Sequence, residues 1–312
     1  MTSADTSHTR VLAVVGPTAV GKTRLAVQLA RRHRGEIINA DSRQIYRHME
    51  IGTAKPDKEE AAAVTHHLVD IIEPNQEFSL AEYQNLADGA IKDIQARGKI
   101  PFLVGGSGLY VWAVLEGWVV PKVAPDVAFR KGLEERVAKG QAKALFQELK
   151  MVDPAAADNI DPRNVRRVIR ALEVNKLSKN TFSQLQQKQA PTFQTLIIGL
   201  TADRKELYRR ADARIDNMIS HGFMEEVGAL LQLGFTPDLP ALSSIGYREI
   251  IQYLQGGTTL EEAVYKIKTG THRFIRHQYA WFRLKDERIK WFDVEKTSGM
   301  EIEQVVDIFI KS

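Results

Sequence analysis

The first apolar run, residues 11–15 (VLAVV), has no polar break, which predicts a strand buried on both faces. Residues 22–32 then place Leu25, Ala26, Leu29 and Ala30 at helical spacing. A second strand is predicted over 36–40, ending at Asp41, and a helix over 80–95. Residues 100–104 read as a third buried strand, closed by Gly105-Gly106. Strands alternating with helices predict an α/β protein built on a parallel sheet with crossovers. From 125 to 185 the texture changes to helical patterns alone, such as 127–137 and 165–177, before 195–200 (TLIIGL) turns strand-like again. That change predicts a helical segment inserted into the α/β core, with the core over 1–120 and 194–312 and the insertion over 121–193. The C-terminal third is mostly helical in pattern, with one more strand over 288–292 and a closing helix near 301–310. There are no internal repeats and no low-complexity tract.

Composition narrows the chemistry only at a few points. A chain of 312 residues with 44% hydrophobic and 26% charged residues is long enough to bury a core unaided. It contains no cysteine, so disulfides, thiolate catalysis and Cys-based zinc sites are excluded. The net charge of +4 and pI of about 9.1 are too mild to establish nucleic-acid binding, so the placement of the basic residues matters more. The run 11–15 is too short for a signal h-region or a membrane span, and the expectation is a soluble, cytoplasmic protein with no membrane association.

Gly16-Pro17-Thr18-Ala19-Val20-Gly21-Lys22-Thr23 fits G-x-x-x-x-G-K-[ST], directly after a buried strand and directly before a helix. In that setting backbone N–H groups converge on an anion and the helix N-terminus adds its positive end. Lys22 supplies a point charge for the outer phosphate, and Thr23 offers a hydroxyl to Mg²⁺. The fold expected is therefore a P-loop NTPase-like parallel sheet flanked by helices, with the helical domain inserted. An NTPase usually carries an acid at the end of a neighbouring apolar strand. Here the strand 100–104 ends in Gly-Gly-Ser, and the well-placed acid is Asp41, expected beside Thr18 and Ser107 at the carboxyl ends of the strands. Such a carboxylate can orient Mg²⁺ or take a proton from a nucleophile, or serve only as a turn or N-cap residue. A kinase and a transferase that expels diphosphate both remain open on the loop alone.

Further segments resemble the bacterial tRNA dimethylallyltransferases (tRNA isopentenyltransferases). They are GPTAVGKT (16–23), NADSRQIYRHMEIGTAKP (39–56), HHLVDI (66–71), VGGSGLYVWAVLEG (104–117), VRRVIRALEV (165–174), ARIDNMISHGFMEEV (213–227) and SSIGYREI (243–250). The resemblance runs over nearly the whole chain, and the stretch DSRQIYRHMEIGTAKP is its most specific part. It implies transfer of a dimethylallyl group from dimethylallyl diphosphate to the exocyclic amine of the adenine 3′-adjacent to the anticodon, with release of diphosphate. It further implies Asp41 as general base, Thr18 near the reacting centre, Gly16 to Thr23 as the diphosphate cradle, Thr23 as Mg²⁺ ligand, and Arg214 with Arg210 one turn earlier as further cations on the diphosphate. The target base must be turned out of its stack, and the resemblance puts Asp41, Ser42, Arg43, Gln44 and Ser107 around it. It also assigns tRNA contact to Arg166, Arg167 and Arg170, to Ser243, Ser244, Ile245, Gly246, Tyr247 and Arg248, and to Arg276, His277, Gln278, Trp281 and Arg283.

The basic runs agree with RNA contact but do not demand it. Arg163, Arg166, Arg167 and Arg170 fall close together, and Arg273, Arg276, His277, Arg283 and Lys285 interleave with Phe274, Tyr279, Trp281 and Phe282. Alternating cations and aromatics suit a surface that tracks a backbone and stacks bases; amphipathic helices with aromatics in the core have the same appearance. The segment Arg276-His277-Gln278-Tyr279-Ala280-Trp281-Phe282-Arg283 departs from the family pattern at His277, in place of arginine, and at Ala280, in place of threonine. Ser107 stands where threonine is commoner. His66-His67 and the pair His272, His277 have poor spacing for a metal, and packing is the reading for His66 and His67. A small-nucleotide enzyme on the same fold has no need of the basic inserted helix. A non-catalytic RNA-binding module would not be expected to keep Thr18, Lys22, Thr23, Asp41 and Arg214 together. A monomer is expected, since tRNA itself supplies the large partner surface.

Overall fold

The computed structural model describes residues 9–121 and 123–312; the polar first eight residues lie outside it. The described chain divides into two compact units, one made of residues up to Leu115 together with Pro191–Ser312, the other Glu116–Ala190. The inserted unit thus runs over 116–190 where the sequence pattern placed it at 121–193.

The first unit begins with β1 (Thr9–Val15), α1 (Lys22–Arg32) and β2 (Gly35–Asn39). After an irregular stretch come α2 (Lys58–Ala63), the two-residue strand β3 (His66–His67) and α3 (Leu80–Ala96). Its first part closes with β4 (Ile100–Gly105) and α4 (Gly108–Leu115). In the second unit β5 (Trp118–Val119) pairs antiparallel with β6 (Gln187–Lys188). Between them lie α5 (Val127–Ala138), α6 (Ala142–Val152), α7 (Pro154–Asn159), α8 (Val165–Leu177) and α9 (Phe182–Leu185). The chain then returns to the first unit with β7 (Phe193–Thr201), α10 (Arg204–Ser220), α11 (Phe223–Gln232), α12 (Tyr247–Leu254), α13 (Leu260–Trp281), β8 (Ile289–Asp293) and α14 (Gly299–Lys311).

Six strands form one sheet in the order β3-β2-β4-β1-β7-β8, and every neighbouring pair is parallel. The apolar runs occupy its centre: Leu12, Val14, Phe102, Val104, Ile198 and Leu200 are buried together with Ala26, Leu29 and Ala30 of α1. Chain order reverses around β1 and β4, so the loops after these strands and after β2 open at the same carboxyl edge, where ligands of such sheets bind. The helical unit has its own core, with Leu145, Leu149, Val168, Ile169 and Leu172 at its centre. α8 begins and ends where the periodicity placed it, capped by Asn164, whose side chain accepts from the Arg167 amide. Among the described residues no helix is long and apolar enough to cross a membrane.

His66 and His67 belong to the edge strand β3. His67 Nε2 lies 2.7 Å from Glu36 Oε2, and His66 Nδ1 lies 2.8 Å from the Val64 carbonyl oxygen. Arg97 and Lys99 also bond Glu36, and these cations hold its buried carboxyl far below the usual carboxylate range. His67 therefore ties the edge strand to β2, while the His66 ring bonds only within its own segment. No group of three or more His, Cys, Asp or Glu residues able to hold a metal ion occurs among the described residues.

Candidate active site

The loop between β1 and α1 is shaped by backbone that only small residues tolerate. Gly16 has φ of 140° and a Cβ there would run into the Leu200 carbonyl of β7. Gly21 stands at the N-cap of α1 with φ of 96°, and no side chain caps the helix. The first turn of α1 carries no acid, so its positive end is uncompensated. The amides of Ala19, Val20 and Gly21 donate to nothing among the described residues, an arrangement that suits an anion. Pro17 and Val20 are buried; Val20 can contribute its amide to such a cradle, whereas Pro17 has no N–H and offers only its carbonyl, which Lys22 occupies. The Thr23 hydroxyl has no hydrogen-bond partner among the described residues and stands beside Lys22 in the first turn. With no metal-holding cluster of acids and histidines among the described residues, a Mg²⁺ ion held here would take Thr23 and phosphate oxygens as ligands, which is how magnesium is commonly bound.

Lys22 donates from Nζ to the Pro17 carbonyl at 2.8 Å, folding back over its own loop. Burial pushes its ammonium down to about 8; nearby Asp41 opposes that shift and Arg214 adds to it. Arg214, on α10, is pushed down by burial and held up by Asp41. Its Nη2 donates to Thr18 Oγ1 at 3.2 Å, 196 residues away in sequence. The structure therefore brings Thr18, Lys22, Asp41 and Arg214 into one electrostatic neighbourhood. A cavity of about 880 Å³ reaches Arg214 and is lined also by Lys55, His66, Asn217 and His221.

Asp41 follows β2 and is held by its neighbours. Its amide donates to Asn39 Oδ1 at 3.0 Å, and Asn39 Nδ2 donates to the carbonyls of Asp41 and Leu68. Asp41 Oδ1 accepts from the Arg43 amide at 2.9 Å. Tyr83 donates to the Asn39 carbonyl at 3.0 Å and stacks on Tyr110, with ring centroids 3.8 Å apart. Asn39 and Tyr83 are supports that pattern reading missed; a polar residue directly after the apolar pair Ile37-Ile38 was the available signal for Asn39. Ser107 Oγ accepts from the Ser42 amide at 2.9 Å, tying the loop after β4 to the loop after β2. A Cβ at Gly105 would collide with Ala40, which explains the glycine at that crossing.

Several expected contacts are redirected by the structure. Arg210 bonds Glu206 at 2.7 Å and approaches Glu295 at 3.9 Å, so its guanidinium is paired with acids of its own surface. Arg170 bonds Glu173 at 2.6 Å and the Val123 carbonyl at 2.8 Å, holding its own unit together. Gln278, expected at the RNA, is buried: its Oε1 accepts from the Thr18 amide at 2.8 Å and its Nε2 donates to the Gly106 carbonyl at 3.1 Å. It joins the phosphate loop to the end of β4. Tyr247 and Gly246 are buried as well, and the Tyr247 hydroxyl donates to Glu226 at 2.6 Å. Gln44 turns its amide to the carbonyls of Thr53 and Ala54.

Other assigned residues do face solvent. Arg166, Arg248, Arg276, His277, Trp281, Arg283 and Ser243 are exposed, while Arg167 is half-buried. Arg276 Nη1 donates to the Tyr208 hydroxyl at 2.9 Å, and Arg248 bonds Glu249. Ser243 and Ser244 spend their hydroxyls on the carbonyls of Pro240 and Ala241, and Ile245 is half-buried against its core cluster. Arg43 reaches the Pro240 carbonyl at 2.9 Å.

The sequence pattern of the IPP transferase family matches residues 44–285, and that of isopentenyl transferases matches residues 9–71. Among curated relatives, a tRNA dimethylallyltransferase of Roseiflexus sp. (strain RS-1) is 51% identical over 273 residues, covering 88% of this chain and 90% of that protein. That of Dehalococcoides mccartyi is 45% identical over 96% of this chain and 92% of its own. Among solved structures, a tRNA isopentenylpyrophosphate transferase of Bacillus halodurans is 42% identical, with a TM-score of 0.72 and 96% of each chain covered. A eukaryotic dimethylallyltransferase acting on tRNA is 26% identical, with a TM-score of 0.79 over 97% of this chain and 79% of that one.

Proposed function

The chain belongs to the IPP transferase family, and we propose that it transfers a dimethylallyl group from dimethylallyl diphosphate to the exocyclic amine of the adenine 3′-adjacent to the anticodon of tRNA, releasing diphosphate. The observation that carries this reading is the convergence at Thr18. Arg214 reaches the Thr18 hydroxyl at 3.2 Å, and Asp41 acts on the charges of both Arg214 and Lys22. Cations sufficient to receive a departing diphosphate thus stand against one carboxylate able to accept a proton.

An aromatic amine is a weak nucleophile, whereas an allylic carbon–oxygen bond breaks readily once its leaving group is neutralised. The protein's work is to align the two reactants and to receive the charge that develops. The new bond joins the adenine nitrogen to the terminal allylic carbon as that carbon's bond to diphosphate oxygen breaks. The bonding pair leaves on diphosphate, toward the amides of 19–21, Lys22 and Arg214. The amine proton passes to Asp41, whose carboxylate is oriented by the Arg43 amide and whose backbone is fixed by Asn39. Mg²⁺, held by Thr23 and the diphosphate oxygens, would supply further neutralisation of the leaving group.

The adenine must leave its stack to reach Asp41. The exposed Arg166 on α8, and Arg276 and Arg283 at and after the end of α13, offer cations to the RNA backbone. In this reading the enzyme works in the cytoplasm as a monomer. The test is incubation with Mg²⁺, labelled dimethylallyl diphosphate and either unmodified tRNA or AMP. Label is expected in a tRNA whose anticodon ends in A and not in AMP. Label in AMP alone, or ATP turnover with no label transferred, overturns the reading. Asp41→Ala should abolish transfer and leave tRNA affinity within about threefold, since the loss is of a proton acceptor and not of a phosphate contact.

A further inference from the structure

The stretch that follows Asp41 forms no helix or strand from Ser42 to Asp57; its first half is tied by main-chain bonds to residues 70–72, and its second half is held by one side chain from a distant helix. Glu226 of α11 accepts from three consecutive amides: Glu50 at 2.8 Å and Ile51 at 2.6 Å on Oε2, and Gly52 at 3.2 Å on Oε1. The buried Tyr247 hydroxyl donates to the same Oε1 at 2.6 Å. A carboxylate that collects four donors in this way is a strong anchor, because each bond is charge-assisted. There is no slack around it: a Cβ at Gly52 would strike the Phe223 and Tyr247 rings.

The anchored backbone is strained. His48 and Ala54 have φ of 63° and 50°, left-handed conformations that cost free energy outside glycine and persist only where surrounding contacts impose them. From this anchor the hold passes back toward Ser42 and Arg43 through Gln44, whose amide is turned into the loop and not outward. Gln44 Nε2 donates to the carbonyls of Thr53 at 3.1 Å and Ala54 at 2.8 Å, immediately after the amides that Glu226 grips. Asp41 is held by a separate set of bonds to Asn39 and Arg43. The Gln44 and Ile45 carbonyls also accept from the amides of Asp70, Ile71 and Ile72, so main-chain bonds fix where the Gln44 backbone sits while the Glu226 anchor fixes what its side chain grips.

We propose that Glu226, with the Tyr247 hydroxyl, is a positioning residue that sets the geometry in which the Gln44 end of this loop meets the RNA, without acting on the reacting carboxylate. This rests on the tRNA reading of the site. In Glu226→Gln the carboxamide nitrogen replaces one acceptor, facing the Gly52 amide or the Glu50 and Ile51 amides donor to donor. KM for tRNA should rise roughly tenfold, while kcat and KM for dimethylallyl diphosphate stay within about twofold. Tyr247→Phe removes one donor and leaves the amides paired, so it should raise KM for tRNA in the same sense by less. Hydrogen exchange at the amides of residues 50–52, followed without tRNA, should accelerate in Glu226→Gln and is independent of the transfer assay.

An unchanged KM for tRNA in Glu226→Gln, beside an active wild type, overturns the proposal. So does a parallel fall of kcat and rise of both KM values, which a general loss of structure would give. Should Glu226→Gln fail to fold, Tyr247→Phe decides on the same criteria. Unchanged protection of the amides of 50–52 overturns the anchor whatever the transfer assay gives. A wild type that modifies no tRNA overturns the functional reading instead, and exchange still judges the anchor.

Discussion

Binding of a diphosphate ester at residues 16–23 should draw a proton onto Lys22 when the pH exceeds about 8. In the free protein burial lowers the Lys22 ammonium from 10.5 to about 8, Arg214 adds to the depression, and Asp41 opposes it. A bound diphosphate places several negative charges beside the ammonium, so the bound-state value must lie higher. Below pH 8 the free site is already protonated, and binding takes up little. Above pH 8 the free site loses its proton while the complex keeps it, so binding takes one up and weakens as pH rises. At pH 8.5 a group titrating at about 8 is roughly one quarter protonated, so binding should absorb about three quarters of a proton, against about a tenth at pH 7. Affinity should approach a tenfold loss per pH unit over this upper range. The assay is titration calorimetry of dimethylallyl diphosphate in two buffers of different ionisation enthalpy at each pH, since the ester is almost fully ionised at both. Lys22→Arg, with its permanent charge, should bind without the extra uptake. Uptake at pH 8.5 no greater than at pH 7, or the same uptake in Lys22→Arg, would refute the reasoning. The same shift acts on the unliganded fold. The unfolded chain binds the proton more tightly than the folded one, so this group's contribution to stability rises between pH 8 and 10.5.

Gln278→Ala should leave the Thr18 amide and the Gly106 carbonyl without partners in a buried place, destabilising the protein by about 2 kcal/mol and lowering kcat/KM. Thermal unfolding read beside activity checks this, and a wild-type unfolding temperature would count against it. Arg214→Ala should weaken donor binding about 10- to 100-fold, the range for removing a bond to a charged group, whereas Arg210→Ala should leave it within about twofold. Equal losses in the two variants would contradict the assignment of Arg210 to Glu206. Reversing charge at Arg166 and Arg167 together should weaken tRNA binding and flatten its salt dependence, by about 0.7 to 0.9 in logarithmic slope for each phosphate no longer neutralised. An unchanged slope removes α8 from the RNA interface.

The ion pairs made by Arg210 and Arg170 have a common origin that was visible in the chain. Each has an acid three or four positions away on its own helix, Glu206 before Arg210 and Glu173 after Arg170, and such neighbours pair on a helix surface. Arg214 has no acid at those spacings on α10, which left it available for Thr18. Gln278 and Tyr247 had no comparable signal. Their helices α13 and α12 are amphipathic, and the periodicity says that one face is buried without saying which polar atom will meet it.

The sequence alone determined the parts of this protein whose physics is local. Residues 16–23 carry the glycines, the lysine and the hydroxyl of a phosphate cradle in one contiguous run, and the apolar stretch before them reads as a buried strand and the periodic stretch after them as a helix. For that reason α1 and α8 begin and end where their periodicity placed them. The tertiary structure decided which atoms of distant side chains meet that run and the loop after Asp41, even for Arg214, which the family resemblance had already pointed to the diphosphate. Gln278 lies 260 positions from Thr18, Arg214 lies 196 from it, and Glu226 lies 175 from Ile51. No propensity or spacing links positions so far apart. Their meeting depends on the strand order, which sets β4, β1 and β7 side by side with their loops at one edge, and on the packing of α10, α11 and α13 around that edge. Contacts of this kind follow from the assembled sheet, because a hydrogen bond fixes its partner by position in space and the chain specifies that position only once the whole unit has folded.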